Sequence, residues 1–138
     1  MKSKQVLDVQ QMQHLQELGL DTSNASAEYY RMSKKMDWFL VFGCRSKEEL
    51  LDTEENIPAY TLQDVLDALP KYYHIAHIGW TKLSIRAHSI KEWEVGYVYE
   101  LGKYAYGGRI LGKELIDAAY ELFCWCVEWG FVETNKNE

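Results

Sequence analysis

The segment 113–129 sets the strongest condition on how this chain can fold. Projected at 100° per residue, Leu115, Ile116, Ala118, Ala119, Leu122, Phe123, Trp125, Cys126, Val127 and Trp129 cover an arc of roughly 200°. Glu114, Asp117, Tyr120, Glu121, Cys124 and Glu128 fill the rest, and Gly130 follows where a left-handed residue would end a helix. An arc that wide exceeds one flat contact, so this helix is expected to lie deep, against a sheet and a neighbour. Burying its four or five largest side chains at ~2 kcal/mol each would contribute on the order of 10 kcal/mol gross.

The sheet it needs is legible in 72–111. Leu83, Ile85 and Ala87 alternate with Lys82, Ser84, Arg86 and His88. Trp93, Val95, Tyr97, Tyr99 and Leu101 alternate with Glu94, Gly96, Val98 and Glu100. Both patterns have period two, so each strand offers one apolar face to a core. Residues 89–91 would be their turn, Gly102-Lys103 a second turn, and Gly107-Gly108 a bulge or loop. Residues 104–111 stay open between strand and loop.

The amino-terminal half reads as helix, hairpin, helix. Asp8 caps a first helix with Gln11 in the capping-box position, and Val9, Met12, Leu15 and Leu18 line one face. Gly19 would end it, with Leu20 folding back on Leu15. After a polar loop over 21–26, strands are expected at 28–32 and 38–43 with a hairpin loop at 33–37. Because 38–42 is apolar on both parities, that strand is expected to be central or covered on both faces. Ser46-Lys47-Glu48-Glu49 has the spacing to start one helical turn. Thr61 and Asp64 start a second helix, Tyr60 staples onto Val65, Leu62, Val65, Leu66 and Leu69 form its stripe, and Pro70 ends it. The expectation is an α+β fold over 1–138 as a single domain. A mainly antiparallel four- to five-stranded sheet is flanked by three helices, sandwich-like, with cover on both faces and a frayed tail at about 134–138.

Composition removes several function classes. The longest apolar run, 38–44, is seven residues, far below the roughly 20 that span a bilayer. The start Met-Lys-Ser-Lys-Gln leads into mixed residues without the apolar stretch of a secretory signal. A cytoplasmic protein with no membrane partner is expected. Cys44, Cys124 and Cys126 cannot all pair within one chain, and reduced, mostly packed thiols fit them best. The net charge is −6, unevenly spread: seven acids and no base lie between Glu48 and Asp67, but six bases against three acids between Lys71 and Arg109. The acidic balance argues against nucleic acid, while the middle strands leave it an opening.

No motif for chemistry rises above its structural explanation. His74-x-x-His77 precedes a strand, where an offset of three sends the rings to opposite faces. Cys124-Trp125-Cys126 lies late in a helix, away from the dipole end that activates a thiol. The loop 102–112, with four glycines and Arg109 before the last helix, lacks phosphate-loop spacing, so Arg109 is a weak anion anchor. Glu94 and Glu100 share a strand face roughly 20 Å apart, too far for paired-carboxylate hydrolysis. No cofactor, metal site or catalytic residue is expected. The aromatic excess is the more informative oddity, because tyrosine and tryptophan beyond what one core holds mark contact surfaces. The candidate interaction surface is Tyr97, Tyr99, Tyr104, Tyr106 and Arg109.

Three stretches carry a resemblance: Gln13-His14-Leu15-Gln16-Glu17-Leu18-Gly19-Leu20-Asp21-Thr22-Ser23, Ile57-Pro58-Ala59-Tyr60-Thr61-Leu62-Gln63-Asp64-Val65-Leu66, and Leu115-Ile116-Asp117-Ala118-Ala119-Tyr120 with Leu122-Phe123-Cys124-Trp125-Cys126-Val127-Glu128. Together they resemble a group of small proteins from gut Bacteroides-type bacteria and their phages or integrated elements. The order of parts is similar to the phage α-β-α sandwich domain. The resemblance implies a bacterial or phage setting and an accessory role, and it carries over no site residues. Three functions are therefore expected in turn. The first is a non-catalytic phage or mobile-element accessory protein that binds another protein, with self-association as a further expectation. The second is a small-ligand binder or enzyme with a pocket near 102–112. The third is a single-stranded nucleic-acid binder using Lys82, Arg86, Lys91, Lys103 and Arg109.

Overall fold

The computed structural model describes residues 3–43, 55–99 and 102–134, with the backbone alone at 106 and 107. The expected turn at 46–49, Cys44, Glu100 and the tail from 135 lie outside the described residues. Ten elements follow in order: α1 (Val9–Glu17), β1 (Ala27–Arg31), β2 (Phe39–Phe42), β3 (Glu55–Ala59), α2 (Leu62–Ala68), β4 (Tyr72–Ile75), β5 (Gly79–Ala87), β6 (Trp93–Tyr99), β7 (Lys103–Gly112) and α3 (Leu115–Glu128). The class is α+β, with three helices and antiparallel sheets. The strands divide between two sheets, β2-β1-β3 and β4-β5-β6-β7.

Local chemistry explains the helix ends. Asp8 and Thr61 each accept from the backbone three residues on, and Gln11 and Asp64 return the bond to the cap, so both capping boxes are complete. Helices α1 and α3 close alike. Gly19 (φ 94°) and Gly130 (φ 79°) turn the chain in the left-handed region. The next amide then donates back to the helix, Leu20 to the Leu15 carbonyl at 3.2 Å and Phe131 to Cys126 at 2.8 Å.

The last helix occupies the position its wide stripe demands. It packs on β6 and β7 and against α2, burying Ile116, Ala118, Ala119, Leu122, Phe123, Cys126 and Val127. Tyr73 and Tyr97 meet it from the sheet, and Phe131 stacks on Tyr73 with ring centroids 4.1 Å apart. Lys4 and Gln11 both reach Asp117, at 2.7 and 2.9 Å, tying the amino-terminal segment and α1 to α3.

Two expectations are corrected. Among the described residues the apolar strand at 38–43 is an edge strand, not a central one: it pairs with β1 alone, and Phe39, Leu40 and Phe42 are exposed. The centre of that sheet is β1, joined on its other side by β3, which the sequence hid because Pro58 suits only an edge strand. Helical cover on both faces of the larger sheet is the second. The described helices gather on one face, and the other presents exposed Tyr72, His74, Trp80, Lys82, Arg86 and Arg109. No helix among the described residues is long and apolar enough to cross a membrane.

Candidate functional site: the open face of the larger sheet

Register decides what this face displays. The β5–β6 hairpin is symmetric about Ile90, so Arg86 lies opposite Glu94, Ser84 opposite Gly96 and Lys82 opposite Val98. On the flanks, Tyr72 faces Lys82 and His74 faces Trp80, while Tyr104 faces Val98 and Arg109 faces Gly96. Directly opposed residues share a face, which gathers Tyr72, His74, Trp80, Lys82, Arg86, Glu94, Tyr104 and Arg109 on one surface.

Glu94 organises one half of that surface. Its carboxylate accepts from Arg86 Nε at 2.7 Å, from Arg109 Nη1 at 3.2 Å and from the Tyr104 hydroxyl, with His88 Nδ1 at 3.1 Å. Only 3% of the residue is exposed, yet it lies away from the core that packs on α3. Its own partners form the cover. The Tyr104 hydroxyl donating to it, opposed by burial and reinforced by Arg86, holds its pKa down to about 2. A carboxylate so stabilised as the anion is a poor proton donor or acceptor near neutrality. The cluster therefore positions charge and does not suit proton transfer.

Gly96 makes the cluster possible. A Cβ there would meet the Gly108 carbonyl oxygen and Tyr104 ring carbons at 2.7–2.8 Å, so the ring can lie on the sheet only over glycine. A bulge accompanies it: Tyr97 alone, between Gly96 and Val98, spans what 105–108 span between Tyr104 and Arg109. Tyr104 in turn accepts from Arg86 Nε at 3.1 Å, and the guanidinium lies 5.1 Å from its ring centre.

The other half is aromatic. Trp80 is 70% exposed and Tyr72 68%. The Trp80 ring rests edge-on against His74, centroids 5.5 Å apart. Between these side chains opens a shallow cleft of about 370 Å³, reaching Lys82, Val98, Tyr99 and Gly102. That volume is at the small end for ligand sites, and Lys82 is its one charged lining residue among those described.

The expected interaction surface is only partly assembled here. Tyr104 and Arg109 come together on the open face. Tyr97 does not: it is buried against α3, its hydroxyl donating to the Pro70 carbonyl at 2.6 Å. Burial first, and then Cys126, raises its pKa. Its odd position in β6 gives it the parity of Val95, which the alternation itself assigns to the core. Tyr99 shares that parity, half-buried at the cleft's edge. Tyr106 lies in β7, with its side chain outside the described residues.

The other candidates scatter. His74 lies on the open face, but His77 occupies the β4–β5 turn with φ 72°. Among the described residues no group of three or more His, Cys, Asp or Glu could hold a metal ion. Cys126 is fully buried and its thiol is pushed up to about 11 by burial, while Cys124 is half-buried. The glycine-rich stretch 102–112 is mainly strand, and it sends Arg109 to Glu94 rather than to the start of α3. Sequence reasoning undervalued Glu94, Trp80 and Tyr72. Equal offsets of Arg86 and Glu94 from Ile90 were the available signal for the first.

Comparison of the chain with family models, curated proteins and solved structures found no match.

Proposed function

We propose that this protein is a non-catalytic binding module whose contact surface is the open face of the β4–β7 sheet. One observation carries the reading. Two large aromatic side chains stand mostly in solvent beside Lys82, on the same face as Arg86 and Arg109 and on a sheet whose other face is closed by α3. Exposed tryptophan and tyrosine sharing a face with arginine is the composition of contact surfaces. The nearby carboxylate is saturated by four partners and has no vacancy for acid–base work. Three sequence markers further support an accessory role in a phage or mobile element.

The test is residue-resolved NMR titration with a panel of acidic peptides, basic peptides, mononucleotides and oligonucleotides. Shifts gathering on Tyr72, Trp80, Lys82, Arg86 and Arg109 for at least one probe are expected. A panel with no binder, or binders that all map to the exposed side of α3, would reject the reading.

A further inference from the structure

Resting on that reading, we infer that the open face takes single-stranded nucleic acid, with bases stacked on Trp80 and Tyr72 and phosphates held by Lys82, Arg86 and Arg109. Charge is the first argument. Strands β4–β7 carry four bases, Lys82, Arg86, Lys103 and Arg109, against one acid, Glu94, in a chain whose net charge is −6. Three of those bases, Lys82, Arg86 and Arg109, stand on the face where the aromatics are exposed. The acid is buried beneath the two arginines, so the surface that a polyanion meets is cationic.

Geometry is the second. Glu94 uses Nε of Arg86 and Nη1 of Arg109. The other guanidinium N–H groups make no hydrogen bond among the described residues, and both side chains are half-exposed. Each fork is thus held on the sheet with donors left for a phosphate oxygen. Along β5, Trp80, Lys82 and Arg86 stand in one row at intervals of about 7 and 13 Å. A stacking ring and two cations in line suit an extended strand, as sheet platforms for unpaired bases do.

The third argument separates this ligand from a protein partner. Protein interfaces are poor in lysine. Here Lys82 stands among the aromatics, opposite Tyr72 and two residues from Trp80 on the interior strand β5. Duplex is disfavoured as well, because paired bases hide the rings that Trp80 and Tyr72 would stack on.

The experiment is fluorescence anisotropy with labelled oligo-dT of about 12 nucleotides at roughly 50 mM salt, beside the same length of duplex and heparin. Single strand should bind, more tightly than duplex, with a log–log salt slope of about −2 for three phosphate contacts. Trp80→Ala should weaken it about 5- to 150-fold, and Lys82→Ala should flatten the slope. Both side chains are exposed, so circular dichroism should show unchanged folds. Failure of oligo-dT and of a mixed-sequence oligonucleotide to bind overturns the inference. So does binding that heparin matches and Trp80→Ala leaves alone. If the oligonucleotides fail while an acidic peptide shifts this same face, the binding-module reading survives and a protein partner takes the site. If no probe shifts the face, both readings fall.

Discussion

The two faces of the β4–β7 sheet are built from alternate residues of the same strands, and they are held by different physics. Toward α3, Tyr73, Val95, Tyr97 and Ala105 are buried among Ile116, Ala119, Leu122 and Phe123, and stability comes from area removed from water. On the open side Glu94, one of the best-shielded residues of β6, is a carboxylate covered by two arginines, a tyrosine and a histidine. The first face excludes water from its centre; the second keeps its partners half in it. The contrast teaches that low exposure has two meanings here, core on one side and a self-made polar lid on the other. Only the second leaves donors available to a ligand.

The sharpest way to break that distinction is to cut into the core face. Leu122 is 1% exposed at the centre of α3. Leu122→Ala should cost about 2–5 kcal/mol in urea melts, by lost transfer energy and the cavity left behind. A loss under about half a kcal/mol would place it with surface substitutions and refute the role given to α3.

Much of this core was legible beforehand because helix signals are local. Asp8 with Gln11, Thr61 with Asp64, and the glycines after α1 and α3 each announce an end within a few residues. The β5–β6 alternation was equally plain. Sheet membership was not, since it depends on pairing across the chain. Apolar 38–42 reads as an interior strand, but composition states only that burial is favourable, not which neighbours supply it. Pro58 and Asn56 concealed β3, whose place at an edge is a property of the sheet and not of the segment. The site was half legible. Its aromatics and cations were in view, but the parity that sent Tyr97 inward was outweighed by its kind. The burial of Glu94 required knowing that Arg109 and Tyr104 arrive from another strand, past a bulge.

On the open face the largest stability effect should come from Gly96. Gly96→Ala puts a methyl within 2.8 Å of the Tyr104 ring and the Gly108 carbonyl oxygen. Backbone cannot yield as a flexible side-chain tip does, so the ring must lift or the bulge must shift. A cost of about 1–3 kcal/mol is expected, typical of overpacking, with Tyr104 more exposed by solvent-accessibility NMR. An unchanged melt with Tyr104 still bonded to Glu94 would mean that the ring does not need the glycine.

A smaller and more discriminating effect is expected from Tyr104→Phe, which keeps the ring and removes the hydroxyl that does most to hold Glu94 at about 2. Glu94 retains Arg86, Arg109 and His88, so the carboxylate is not orphaned. The loss at pH 7 should be about 1 kcal/mol, that of one hydrogen bond. The sign with pH follows from linkage. A carboxyl whose folded pKa lies below its ordinary 4.5 stabilises the fold above that value. The contribution is lost as pH falls from 4.5 toward 2, where the folded state too is protonated. Raising the Glu94 pKa in the variant removes part of that contribution. The stability gap between variant and parent should therefore be full at pH 7 and close between pH 4.5 and 2, while carboxyl NMR shows Glu94 titrating higher in the variant. A gap that persists unchanged at pH 2.5 would mean that the hydroxyl acts through packing or through Arg86, and the polar lid would lose its electrostatic account.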